Sequence, residues 1–156
     1  MKFYEKFVIR RNKLKSFLCI GLDPEEQQLP NILRNSSEPL LDFCKEIIDA
    51  TSNEAVCYKP NIAFFESRGS RGFAEFEKVI RYLKINYSKI PVIVDAKRGD
   101  LANTAKEYAK YYFDDLGADS ITLSPYMGRD TLEPFLINSK GHIFLLCLTS
   151  NPSSTD

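Results

Sequence analysis

The chain has 156 residues, of which 44% are hydrophobic and 27% are charged, as is usual for a single globular domain. Lysine plus arginine and aspartate plus glutamate both number 21, so no basic excess indicates nucleic acid or an anionic membrane as a partner. No apolar run approaches the roughly 20 residues of a membrane span, and residues 1–15 lack the apolar core of a signal peptide, so we expect a cytoplasmic protein.

The first half of the chain alternates between helical and strand patterns. Some segments repeat apolar residues at helical spacing, while others are short apolar runs that end at a charge or a proline. In order, we expect a helix over 2–14, a strand over 17–22, a loop with one helical turn over 25–37, a helix over 38–51, a strand within 55–61 and a helix over 73–83.

The second half continues this alternation and contains the most unusual stretch of the chain. A short apolar strand over 91–95 runs directly into the charged residues Asp95, Lys97 and Asp100. Alternate residues of a strand point to the same side, so Asp95 and Lys97 can share one face. We expect Gly99 to allow a tight turn and Asp100 to cap the following helix. The remaining expected elements are a helix over 101–115 that ends near Gly117, a strand over 119–124, a helix over 130–138 and a strand over 143–148.

Cysteine and histidine usage favours structural roles for these residues. Cys19, Cys44, Cys57 and Cys147 lie in apolar runs without CxxC spacing. We interpret them as reduced core residues, not as a disulfide framework or a zinc site. His142 opens an apolar run, which favours a structural role over metal ligation. We therefore expect no metal.

Five strand-helix units in this order predict an α/β fold with a parallel sheet. An open doubly wound sheet and a (β/α)8 TIM barrel both fit that order. Polar residues follow four of the strands, namely Asp23, Lys59, Asp95 with Lys97, and Thr149 with Ser150. The carboxyl ends of all barrel strands meet at one mouth, whereas an open sheet gathers residues only at its switch point. No glycine-rich phosphate loop follows any strand, so we expect the barrel.

The length of the chain limits how much of a barrel it can form. A complete (β/α)8 barrel takes roughly 250 residues. We therefore expect residues 1–156 to be the N-terminal portion of a single TIM-barrel domain, supplying the first five βα units.

Five short motifs follow one another along the chain. They are GLDP at 21–24, YKPN at 58–61, DAKRGD at 95–100 with NT at 103–104, SPYMG at 124–128 and LTSNP at 148–152. Together they resemble the orotidine 5'-phosphate decarboxylase family, in the subfamily whose third strand reads DAKRGD, and the resemblance covers nearly the whole chain. The D-x-K-x-x-D element alone also occurs in sugar-phosphate enzymes of the same superfamily. Lys59 makes the match sharper, because those relatives have an acidic residue and a magnesium ion at that position.

This resemblance implies loss of CO2 from orotidine 5'-monophosphate (OMP) to give UMP, without cofactor or metal, in pyrimidine biosynthesis. Lys97 would protonate C6 of the pyrimidine, and Asp95 would lie beside the substrate carboxylate. Lys59 would hold Asp95 and contact the ribose. The other implied residues are Asp23 and Asn61 for the substrate, Ser150 for the pyrimidine edge, and Asp100 and Thr104, which would reach the partner's site in a homodimer.

Other interpretations remain open at this point. Asp95, Lys97 and Asp100 could form an ordinary surface turn with a local ion pair. Lys59 could be a Schiff-base lysine, although neighbouring carboxylates keep an amine protonated and therefore poorly nucleophilic. The chain could also be a sugar-phosphate decarboxylase or synthase. The family's phosphate-binding residues would follow residue 152, so the chain could instead be a catalytically inactive barrel fragment.

Overall fold

A computed structural model describes residues 1–138 and 140–154, and over these ranges it contains seven α-helices and five strands. The helices are α1 (Phe3–Leu14), α2 (Asn31–Arg34), α3 (Pro39–Thr51), α4 (Ala63–Glu66), α5 (Gly69–Asn86), α6 (Ala102–Ala109) and α7 (Glu133–Ile137). The strands are β1 (Cys19–Leu22), β2 (Cys57–Pro60), β3 (Ile93–Arg98), β4 (Ser120–Leu123) and β5 (His142–Leu145). A π-helical segment, Lys110–Asp115, continues α6.

The five strands lie side by side in chain order, and all of their pairings are parallel. β1 pairs with β2, and β3, β4 and β5 form a second sheet in that order. Two isolated parallel bridges, Tyr58 to Val92 and Asn61 to Asp95, join β2 to β3. The carboxyl ends of all five strands therefore lie on the same side. This arrangement is the first five βα units of a (β/α)8 TIM barrel, as the alternation of elements predicts.

Helix α1 lies at the opposite, amino-terminal ends of the strands. Its Phe3 side chain is buried against Cys57 and Ile93, the first residues of β2 and β3. The Phe3 ring also stacks on the His142 ring at the start of β5, with 5.1 Å between ring centroids. The imidazole of His142 thus packs against an aromatic ring, in line with the structural role expected for it.

A buried carboxylate joins α3 to α5. Glu75, on α5, is fully buried, and its Oε2 accepts hydrogen bonds from the backbone N–H groups of Leu40 and Leu41 at 2.9 and 3.0 Å. These two groups belong to the first turn of α3, where backbone N–H groups lack partners within the helix. The other oxygen of Glu75 accepts from the guanidinium of Arg68 at 3.0 Å. The Glu75 carboxylate of α5 therefore caps the amino-terminal end of α3.

Several expected boundaries differ from the structure. The helical turn expected over 25–37 is α2, but a 3-10 turn precedes it, and the four-residue helix α4 was not expected. The expected helix over 101–115 is α-helical only to Ala109. Strand β3 continues past Asp95 to Arg98, and β5 ends at Leu145 before the expected residue 148.

The expectation for the cysteines is correct in part. All four are free thiols, and Cys44 and Cys57 are buried in the core. Cys19 and Cys147 are exposed, so their assignment to the core is wrong. Cys19 lies at the start of β1, which among the described residues has a hydrogen-bonded neighbour on one side only, and Cys147 lies just beyond β5.

None of the helices in the described ranges has the length and apolarity needed to span a membrane.

Candidate active site at the carboxyl ends of the strands

Three of the charged residues singled out in the sequence meet at the ends of β2 and β3. The Lys59 ammonium donates to Oδ2 of Asp95 at 3.2 Å, and the Lys97 ammonium donates to Oδ1 of the same carboxylate at 2.7 Å. The Asp95 side chain is only 9% exposed, whereas the side chains of Lys59 and Lys97 are 34% and 51% exposed. Two cations thus flank one buried anion, and both amines remain accessible from the strand mouth.

A third donor reaches the Asp95 carboxylate from β4. The hydroxyl of Thr122 donates to Asp95 Oδ1 at 2.8 Å. Burial of the Asp95 carboxyl would by itself raise its pKa, but the hydrogen bonds from Lys97, Thr122 and Lys59 together outweigh burial. The pKa of Asp95 consequently lies below its ordinary value, and the group is a carboxylate at neutral pH.

Lys97 reaches this carboxylate from an unusual backbone conformation. Its φ angle is +48°, in the left-handed region that residues with a side chain seldom adopt. The pairing of β3 with β4 changes register at the same place, because Val94 pairs with Ile121 and Arg98 pairs with Leu123. Three residues of β3 therefore lie opposite the single residue 122 of β4, which forms a β-bulge. The bulge turns Lys97 so that its amine reaches Asp95.

Gly99 is needed for space after β3, because a Cβ there would lie 2.6 Å from the carbonyl oxygen of Ser124, whereas the residue with left-handed backbone is Lys97. The expectation that Asp100 caps α6 is wrong. Its Oδ1 accepts from the N–H of Leu101 at 2.7 Å, and Leu101, the residue before α6, has no side-chain capping bond. Within one chain, Asp100 has no ion pair among the described residues.

Asp23 and Asn61 lie at the ends of the two neighbouring strands. Asp23 follows β1 and is exposed, and a Cβ on Gly21 would lie 2.7 Å from Asp23 Oδ2, so this glycine leaves room for the carboxylate. Asn61 pairs with Asp95 in the bridge between β2 and β3. Its Oδ1 accepts from the N–H of Ala63 at 3.2 Å, which supports the start of α4.

The other two candidate residues do not contact the charged cluster. Thr104 is half-buried in the first turn of α6. Ser150 is exposed in the segment that follows β5. In chain order Thr104 follows the bulge of β3, and Ser150 follows β5.

Sequence reasoning missed Thr122, which contacts Asp95 directly. The segment over 119–124 reads as a strand, and threonine is common in strands, so nothing drew attention to it. One signal was available, since Thr122 is a polar residue between the apolar residues Ile121 and Leu123, in a strand that is buried throughout. Most buried hydroxyls in proteins have hydrogen-bond partners.

Arg98 anchors the end of β3 to the surrounding helices. Its guanidinium pairs with Glu66 of α4 and donates to the carbonyl oxygen of Ala96 at 3.3 Å. It also lies over the rings of Tyr108 and Tyr112, with 5.2 and 5.9 Å to the ring centroids. Neighbouring residues of the DAKRGD motif thus point in opposite directions, Lys97 toward the strand mouth and Arg98 into the helical layer.

The cluster can hold an anionic or charge-developing group beside two fixed ammonium groups. It is not a metal site of the usual kind, because Lys59 and Lys97 occupy both oxygens of Asp95. Across residues 1–138 and 140–154, there is no group of three or more histidine, cysteine, aspartate or glutamate side chains that could hold a metal ion. The chemistry that this arrangement supports is electrostatic stabilisation combined with proton donation.

Several known proteins are similar to this chain over most of its length. Residues 16–156 match the model of the orotidine 5'-phosphate decarboxylase / HUMPS family. The orotidine 5'-phosphate decarboxylase of Leptospira interrogans is 62% identical over 154 residues, which cover 99% of this chain and 56% of that protein. The enzyme of the same name from Flavobacterium johnsoniae is 49% identical over 142 residues, covering 91% and 52%. The chain therefore spans about half the length of the curated relatives it matches.

Solved structures of enzymes with this name are also similar to this chain. Leishmania donovani OMP decarboxylase superimposes with a TM-score of 0.85 at 42% identity, over 99% of this chain and 56% of that one. Plasmodium berghei orotidine 5'-monophosphate decarboxylase superimposes with a TM-score of 0.85 at 29% identity, over 97% and 63%.

Proposed function

This chain belongs to the orotidine 5'-phosphate decarboxylase / HUMPS family, and we propose that it supplies the charged part of an active site that converts OMP to UMP and CO2. The observation that carries the proposal is the cluster of Lys59, Asp95 and Lys97, in which one buried carboxylate lies between two ammonium groups. The names of the relatives supply the substrate.

The chemistry of decarboxylation explains why such a cluster is useful. The carboxylate of OMP is attached to an sp2 carbon, so its departure as CO2 leaves an electron pair in the plane of the ring. The barrier falls when positive charge is already fixed where that pair develops. In the proposed mechanism, Lys97 provides this charge and then donates its proton to C6.

Asp95 and Lys59 would keep the Lys97 amine ready for this step. Desolvation favours the neutral form of an amine, whereas an adjacent carboxylate favours the ammonium form. Asp95 lies 2.7 Å from the Lys97 nitrogen and would also lie beside the substrate carboxylate. Lys59 balances the second oxygen of Asp95 and would contact the ribose.

The remaining assignments complete the proposed site. Asp23, Asn61 and Ser150 would bind the nucleotide, since they follow β1, β2 and β5 in the chain. Asp100 and Thr104 would act in the site of a second copy in a homodimer. Both follow the bulge without contacting Asp95 of their own chain, as this assignment requires. No cofactor takes part in the proposed reaction.

The proposed activity requires more of the barrel than these residues provide. Binding of remote parts of a substrate helps to assemble the reacting site, and the phosphate of OMP is such a part. We expect the 156-residue chain alone to be inactive. We also expect a chimera of residues 1–152 with the C-terminal part of the Leptospira interrogans relative to be active, because the two proteins are 62% identical over the shared region.

The test follows the loss of ultraviolet absorbance of OMP with this chimera. Lys97→Ala should lower kcat by at least about 1,000-fold, because it removes both the proton donor and the fixed charge. Lys78→Ala is the matched control, since Lys78 pairs with Glu38 away from the site and should not affect turnover. A folded chimera that binds UMP but does not decarboxylate OMP would exclude the proposed function. Near-normal turnover by Lys97→Ala would exclude the role of Lys97.

A further inference from the structure

The hydroxyl of Thr122 uses its whole hydrogen-bonding capacity on the bulge of β3. Its oxygen accepts from the backbone N–H groups of Ala96 and Lys97, at 3.1 and 2.9 Å, and its O–H donates to Asp95 Oδ1 at 2.8 Å. A hydroxyl has one hydrogen to donate and two lone pairs to accept with, so all three positions are filled. The Thr122 residue is 9% exposed and Asp95 is 8% exposed, so water does not readily replace these bonds.

This arrangement fixes the direction of the bond to Asp95. Backbone N–H groups can only donate, so both lone pairs of the Thr122 oxygen are occupied by Ala96 and Lys97. The hydroxyl hydrogen can then point only at Asp95, and Asp95 Oδ1 must accept it. The same oxygen accepts from the Lys97 amine at 2.7 Å, so two donors fill both of its lone pairs, an arrangement that favours the ionised carboxylate.

The same hydroxyl also supports the unfavourable backbone at Lys97. A non-glycine residue in the left-handed region persists only where surrounding contacts hold it there. The N–H of Lys97 is held by Thr122 at the point where three residues of β3 oppose one residue of β4. One side chain therefore acts on both ends of the Asp95–Lys97 pair, on the carboxylate and on the backbone that aims the amine.

We propose that Thr122 is a positioning residue that holds the Asp95 carboxylate and the left-handed backbone of Lys97 in one fixed arrangement. Thr122 does not touch the reacting atoms, and it acts through Asp95 and Lys97. Its consequence for turnover rests on the proposed function, but its effect on Asp95 does not.

The first test measures the titration of the Asp95 side-chain carboxyl by carbon NMR in the 156-residue chain. Thr122→Val keeps the shape of the side chain and removes the hydroxyl, so the midpoint should move to higher pH, because a donor to the charged form is lost. Thr122→Ser keeps the hydroxyl and should leave the midpoint unchanged. Thr51→Val is the matched control, since its hydroxyl bonds to Ile47 and Tyr58, away from the site.

The second test does not depend on a variant that could fail to fold. In the unaltered chain, the amide hydrogens of Ala96 and Lys97 should be protected from exchange with solvent by the Thr122 oxygen. Thr122→Ser should preserve this protection. Rapid exchange of both amides in the folded, unaltered chain would overturn the proposal, as would an unchanged Asp95 midpoint in folded Thr122→Val.

Kinetics of the chimera then separate the two proposals. Thr122→Val should lower kcat by about 100-fold with little change in KM, because misplacement of a reacting group by about 1 Å costs this much. Thr122→Ser should restore most of the rate, and Thr51→Val should not affect it. An unaltered chimera that binds UMP but does not decarboxylate OMP would exclude the decarboxylase proposal, while the NMR result still decides the role of Thr122. Full activity of Thr122→Val in an active chimera would overturn the role of Thr122.

Discussion

At Lys97 the residue type and the backbone conformation oppose each other. Left-handed backbone is costly for any residue with a Cβ atom, and glycine is the residue that avoids this cost. A lysine at this position indicates that its amine is needed more than a relaxed backbone. The proximity of that amine to Asp95 gives the reason in structural terms.

This conflict leads to a prediction for two substitutions that both remove the amine. Lys97→Gly should be more stable than Lys97→Ala by about 1 kcal/mol, because only glycine adopts positive φ without strain. Thermal or urea unfolding of the two variants measures the difference.

A matched pair at Lys106 controls for the general effect of glycine. Lys106 is exposed within α6, where glycine is expected to be less stable than alanine by about 1 kcal/mol. The order of the two variants should therefore reverse between positions 97 and 106. The same order at both positions would mean that the backbone at Lys97 is not strained.

Sequence patterns identified the charged residues but not the contacts that orient them. Lys59 and Asp95 could be placed together because charged residues that follow parallel strands meet at one edge. The partnership of Thr122 could not be predicted, since it depends on a bulge that no local pattern in the sequence indicates. The left-handed backbone of Lys97 lies at the same bulge.

At the scale of elements, the contact between α3 and α5 depends on a carboxylate in an apolar core. Glu75 accepts two hydrogen bonds from the start of α3 and pairs with Arg68, while its neighbours Phe76 and Val79 are fully buried. Helical periodicity identifies the buried face of α5 from Phe76 and Val79. It cannot show that Glu75 belongs to that face, because burial of a carboxylate depends on partners that are distant in the sequence.

We predict that Glu75→Ala destabilises the chain by about 3 kcal/mol, because it leaves the Arg68 guanidinium and two backbone N–H groups without their buried partner. Urea unfolding followed by circular dichroism measures the loss. Glu133→Ala is the control, since Glu133 is 50% exposed in an ion pair with the exposed Arg129 four residues earlier and should change stability by no more than about 0.5 kcal/mol. Similar effects of the two substitutions would contradict the capping role of Glu75.

At the scale of the whole molecule, the five strands differ in how well they are enclosed. Strands β2, β3 and β4 each have neighbours on both sides, and β4 is buried throughout. Strands β1 and β5 each have one neighbour within the described residues, and three of the four residues in β5 are exposed. The order of the strands and the barrel class followed from the sequence, whereas the exposure of Cys19 did not.

We predict that backbone amides in β5 exchange with solvent at least about tenfold faster than those in β4, because local opening is easier where few apolar contacts hold a strand. Hydrogen exchange of the 156-residue chain at several protein concentrations measures this. Equal protection of β4 and β5 at the lowest concentration would contradict the prediction. Protection of β5 that increases with concentration would show that a second copy covers this edge.

The position of the charged cluster in the chain has a consequence for biosynthesis. Lys59, Asp95, Lys97 and Thr122 come from three consecutive strands, and all precede residue 123. Because polypeptides emerge from the ribosome amino terminus first, these groups can find one another while later residues are still being added. The negative charge of the buried Asp95 would then be balanced by Lys59 and Lys97 of the same chain during translation. A ribosome-bound chain stalled soon after β4 has emerged should already contain the bulge at Lys97.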